Sequence, residues 1–161
     1  MENEVIRIGI AEWAVSREVV VLRTAGLGSC VGVVLYDLER GLSGMAHVML
    51  PDSAISRNKQ EEIGKFADTA IVALKDSLER MGAARLRAKI AGGAQMFQFK
   101  YEHESMRIGE RNIQAVKEAL HAVRVPLVAE DVGGTNGRTI EFHSKTGMLM
   151  IRTVNVGTLE I

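Results

Sequence analysis

The chain has 161 residues, 47% of them hydrophobic and 25% charged, which excludes wholesale disorder and leaves room for one domain with a real core. Its 20 basic and 20 acidic residues cancel, so no overall field draws in nucleic acid or an anionic membrane, and an aromatic content of 4% argues against base stacking. One cysteine, Cys30, excludes an internal disulfide and a zinc site built on cysteine pairs.

In chain order, Val5 to Ile10 alternates as a strand does, and Val19 to Leu22 is a short β-branched run. Gly26 to Ser29 reads as a turn. Cys30 to Tyr36 and Ser43 to Leu50 then form a hairpin around Asp37–Gly41. Pro51 ends the second strand, and Ser53 to Gln60 reads as a mobile surface loop. A helix is expected from about Glu61 to Met81, with Ile63, Phe66, Ala67, Ala70, Ile71, Leu74, Leu78 and Met81 on one face and Gly82 as its stop. Leu86 to Ala91 is a strand running into Gly92-Gly93, where backbones are expected to approach closely. Phe97 to Arg107 is polar and irregular. A second helix runs from about Glu110 to Val123, and three strands follow: Leu127 to Val132, Arg138 to His143 and Met148 to Val154.

Many hairpin-linked strands with two amphipathic helices predict an α+β fold with mixed or antiparallel sheets, as one domain over 1–161. No apolar run approaches the roughly 18 residues that span a bilayer. The N-terminus lacks a signal peptide's basic start and apolar stretch, so the expectation is a soluble, reduced, cytoplasmic protein.

Cys30 follows a glycine-rich turn at a strand start. A lone cysteine is most often a small buried hydrophobe. The strand end, however, can expose the sulfur, and the turn can leave backbone N–H groups of Gly28, Ser29 and Cys30 free to face an oxyanion. His47 lies on the returning strand, where a core histidine is the plain alternative. If the turn centres near Leu38 to Arg40, Gly32 lies opposite His47 and Cys30 opposite Met49. Cys30 and His47 then share a face as diagonal neighbours, with the missing side chain of Gly32 leaving space between them. A shift of one residue would part them. An imidazole in reach would take the thiol proton, lowering the thiol pKa, and could later protonate an amine or ammonia leaving group. Thr24 could orient that imidazole, though on the residues alone it is an ordinary strand threonine.

His103 has no metal-ligand spacing around it, His121 suits a helix C-terminus, and His143 ends a strand. Gly26, Gly28 and Gly32 do not make a dinucleotide loop, because Val31 stands where glycine is required and no helix follows.

Gly26-Leu27-Gly28-Ser29-Cys30-Val31 and Met45-Ala46-His47-Val48-Met49-Leu50-Pro51-Asp52-Ser53 resemble the signature of the CheD family of chemoreceptor glutamine deamidases. Lys65 to Ala70, Lys89 to Phe97, Ile108 to Asn112, Ala129 to Gly134 and Gly137 to Thr139 agree with it in order. The resemblance implies a cysteine-dependent amidohydrolase with Cys30 as nucleophile, His47 as base and Thr24 completing a triad. It implies an α/β/β/α sandwich similar to the catalytic domain of cytotoxic necrotizing factor. It further implies methyl-accepting chemotaxis receptors as substrates, the CheC phosphatase as partner, no metal or organic cofactor, and a methylesterase activity credited to some members. Phe66 replaces the family's usual tyrosine, and Phe99 to Met106 is unusually long and charged. Two competing readings are a small-amide hydrolase or peptidase using the same dyad, and a non-catalytic adaptor that binds CheC.

Overall fold

The computed structural model describes residues 4–54, 56, 62–96 and 107–161. The ten described strands are β1 (Glu4–Arg7), β2 (Trp13–Ser16), β3 (Val20–Leu27), β4 (Val31–Asp37), β5 (Leu42–Val48), β6 (Arg87–Gly92), β7 (Leu127–Val132), β8 (Arg138–His143), β9 (Met148–Thr153) and β10 (Gly157–Glu160). Two α-helices accompany them, α1 (Ala67–Arg80) and α2 (Ile108–Ala122). The strands form two five-stranded sheets, ordered β1-β3-β8-β9-β10 and β2-β5-β4-β6-β7. Both are mixed, since β1 runs parallel to β3 and β6 parallel to β7 while the other pairs are antiparallel.

The side chains dictate the layering. In the first sheet Leu22, Ile140, Phe142, Leu149 and Ile151 are buried, while the intervening Arg23, Glu141 and Arg152 are polar. One face therefore packs and the other meets water. In the second sheet both faces are apolar. Val34, Tyr36, Met45 and Ala91 meet the first sheet, while Val31, Val33, Leu35, Ala46 and Ile90 meet the helices. The helices supply matching stripes, Ala67, Ala70, Ile71, Leu74 and Leu78 from α1 and Val116 and Leu120 from α2. The α+β sandwich of mixed sheets holds. Both described helices lie on the second sheet, and the polar outer face of the first carries no fourth layer among the described residues.

The hairpin register is as the sequence predicts, with Gly32 opposite His47 and Val31 opposite Val48. Three local expectations change. Gly26 and Leu27 belong to β3, because a bulge between Thr24 and Leu27 absorbs one extra residue and returns Leu27 to the buried face. The first helix is interrupted: Ile63–Lys65 is a 3-10 turn and Phe66 is extended, because the carbonyl of Lys65 takes the Met49 and Leu50 N–H groups and Ala67 N–H donates to Leu50. Ser53, expected at the start of a mobile loop, is buried and bonded through N–H and hydroxyl to Asp68. Of the irregular stretch expected at Phe97 to Arg107, all but Arg107 lies outside the described residues, and His103 with it.

Candidate active site

His47 sits near the end of β5, wholly buried, on the face of Met45 that looks toward the first sheet. Thr24 reaches it from β3 of that sheet. Its hydroxyl donates to the Ile8 carbonyl at 2.7 Å, and its oxygen lies 2.7 Å from His47 Nδ1. One hydroxyl proton serves one acceptor, so Nδ1 carries the hydrogen and donates to Thr24. That fixes the tautomer and leaves the Nε2 lone pair free. Nε2 is buried and has no hydrogen-bond partner among the described residues. The backbone is fixed too: His47 N–H donates to Glu12 and its carbonyl accepts from Ala11, both at 3.0 Å. Ala11 adopts a positive φ of 65° to make that turn.

Cys30 lies just outside β4, half-buried and packed against the same inter-sheet cluster. Since Gly32 faces His47 directly, Cys30 is its diagonal neighbour on that face. The space at Gly32 is not open as expected. A Cβ there would come within 2.5 Å of Ile140 Cδ1 and 3.2 Å of Leu27 Cδ1, so the missing side chain lets the two sheets close up beside the dyad.

Three consecutive carbonyls hold the cysteine loop. Gly28 O accepts from Ala94 N–H at 2.8 Å and Cys30 O from Gly93 N–H at 2.8 Å. Ser29 O accepts from the Asn112 side chain at 3.0 Å. The expected close approach at Gly92 is real, because a Cβ there would stand 2.3 Å from Cys30 O and the residue has a φ of +114°. Gly28 N–H is engaged with Gly26 O, whereas no backbone carbonyl among the described residues takes the Ser29 or Cys30 N–H. Of the three expected oxyanion donors, Gly28 is thus engaged with a backbone carbonyl, and among the described residues Ser29 and Cys30 are not.

Burial raises the Cys30 thiol pKa, opposed by its own backbone N–H, and lowers that of His47 to about 4. The thiol and imidazole are therefore both neutral at pH 7, where the sequence alone suggested a thiol acidified by its neighbour. Elsewhere, His121 lies in the last turn of α2 and His143 at the end of β8, 3.7 Å from Glu141. Asn112, which the sequence reading gave no role, bridges Ser29 O and Met49 O. Its signal was a polar residue on the buried stripe of α2, in line with Gly109, Val116 and Leu120.

A two-sheet sandwich that brings a thiol at a strand start and an imidazole of defined tautomer onto one face has the parts of a thiol-dependent hydrolase. A family profile described as CheD chemotactic sensory transduction matches residues 49–153. The chain is 53% identical over 161 residues to the chemoreceptor glutamine deamidase CheD of Halalkalibacterium halodurans, covering 99% of each protein. It is 47% identical to that of Bacillus licheniformis, over 99% of this chain and 96% of the relative. With that of Bacillus subtilis the identity is 48%, over 97% and 95%. The chain belongs to the CheD family. The profile match begins after His47, and the near-full-length relatives extend the similarity through the candidate site.

Proposed function

We propose that this protein hydrolyses the side-chain amide of glutamines in chemoreceptor cytoplasmic helices, giving glutamate and ammonia, with Cys30, His47 and Thr24 as its machinery. The names of its relatives support the substrate class. The observation that carries the chemistry is the Nε2 of His47, unpartnered among the described residues and left as a lone pair by the Nδ1–Thr24 bond on the face it shares with Cys30.

With both groups neutral, the proton moves as the bond forms. Nε2 takes the Sγ proton while sulfur adds to the amide carbon, so His47 acts as general base and no resting ion pair is needed. The negative charge that develops on the amide oxygen faces the Ser29 and Cys30 N–H groups. The tetrahedral adduct collapses as the imidazolium gives its proton to nitrogen, releasing ammonia and leaving a thioester on Cys30. Water then attacks the thioester with Nε2 as base, sulfur leaves, and glutamate is freed. A glutamate methyl ester would pass through the same thioester with methanol as leaving group, which accommodates a methylesterase activity. Binding of the CheC phosphatase belongs to the same reading and is supported by family membership alone. Among the described residues no helix is long and apolar enough to cross a membrane.

The test is peptide mass spectrometry of a chemoreceptor cytoplasmic fragment incubated with the protein or with Cys30→Ala. Glutamine-to-glutamate mass gains at defined sites, with the unaltered protein only, are expected. No gain with either protein would overturn the reading and favour an adaptor. Turnover of free glutamine would favour a small-amide hydrolase.

A further inference from the structure

We infer that Asn112 is a positioning residue that aims the Cys30 N–H at the developing oxyanion by gripping the Ser29–Cys30 peptide from behind. The inference rests on Cys30 being the nucleophile, and adds to that reading a residue outside the triad.

Asn112 is wholly buried on the apolar stripe of α2, where packing alone calls for an aliphatic residue. Its Nδ2 donates to Ser29 O at 3.0 Å and to Met49 O at 2.9 Å. Both partners are acceptors, so the amide can sit only one way round. Its Oδ1 is buried without a partner among the described residues, a cost that apolar packing would avoid. The two carbonyls belong to the two segments that carry the dyad, one preceding Cys30 and one following His47.

The geometry of the peptide supplies the rest. The Ser29–Cys30 peptide is trans, so the Ser29 carbonyl and the Cys30 N–H point in opposite directions from one rigid plane. Asn112 holds the carbonyl toward α2, and the N–H of the same peptide is thereby turned away from the helix. The flanking Gly28 and Cys30 carbonyls are held by backbone N–H groups, whereas this one depends on a side chain. The start of α2 is itself fixed, because a Cβ at Gly109 would stand 2.6 Å from the carbonyl oxygens of both Gly93 and Ala94.

Two small reagents separate this role from a structural one. Acylation of Cys30 by p-nitrophenyl acetate develops an oxyanion, whereas alkylation by iodoacetamide does not. The ratio of the two rates, on the full chain at one pH, isolates the oxyanion donor and needs no receptor. Asn112→Leu, close in size, is expected to lower that ratio about 10- to 100-fold, with Tm lowered because two carbonyls lose their donor, and to lower the deamidation kcat alike with KM unchanged. An unchanged ratio overturns the inference. So does a parallel loss of both rates, which would mark general loosening of the loop. Should Asn112→Leu fail to fold, Asn112→Ser is judged by the same ratio. A lowered ratio alongside no receptor deamidation by the unaltered protein would uphold Asn112 and sink the amide chemistry. Receptor deamidation with an unchanged ratio would sink only the inference.

Discussion

His47 and Cys30 stand one step apart across a hairpin, yet the fold holds them by different means. The imidazole is buried within a strand, with both its backbone groups and Nδ1 engaged, so its orientation leaves no choice. The cysteine lies outside regular structure, half-buried, and its loop is tied down through three main-chain carbonyls. A proton carrier must keep one tautomer through the whole cycle. A nucleophile must instead let its sulfur move onto carbon while its N–H stays still.

Substitutions can press on each half separately. The largest effect is expected from His47→Ala, which should lower deamidation by about 10²- to 10⁴-fold while keeping a cooperative melting curve. Alkylation of Cys30 at pH 8 should change little, because the resting thiol is not acidified by the imidazole. A comparable fall in alkylation would show that a thiolate–imidazolium pair exists after all.

The burial of neutral His47 also has a cost at acid pH. Its folded pKa is about 4 against 6.5 for the free side chain, so the unfolded chain binds the proton first. Stability from this group is full above pH 6.5 and falls as pH drops toward 4, by up to about 3 kcal/mol. Urea titrations across that range should show the slope, and His47→Gln should flatten it.

Thr24→Val removes the acceptor for Nδ1 and the donor to Ile8, which should lower stability by about 1–3 kcal/mol and turnover by about tenfold or more. Thr24→Ser should restore most of both, and equal turnover in Thr24→Val would dismiss the orienting role. The smallest effect is at the spacer between the halves. Gly32→Ala forces Ile140 Cδ1 aside and should cost about 1–2 kcal/mol in thermal unfolding, partly recovered in combination with Ile140→Val.

The hairpin was legible because its alternation and turn residues fix one register, and with it the shared face of Cys30 and His47. The edge strands β2 and β10 were not, since each is four residues long and β10 is exposed throughout, leaving no buried face to set a period. The break at Phe66 was hidden because its cause is a backbone bond to Leu50, distant in sequence. Thr24 could not be promoted from the residues alone, because its partner comes from the opposite sheet. Asn112 stood within a family-like segment and drew no role, because helical spacing marks which face is buried without saying what a polar member of it touches.

The bulge at Ala25–Gly26 acts as a phase shifter. An uninterrupted strand shows every second residue to one side, so Thr24 and Leu27 could not both face the interior. The inserted residue lets a single strand serve two customers, a hydroxyl for the imidazole and a leucine for the core, three positions apart. A chain shortened there by one residue would have to choose between them, so a gap of one residue at this spot in any relative would signal either a refolded core or a base left without its orienting group.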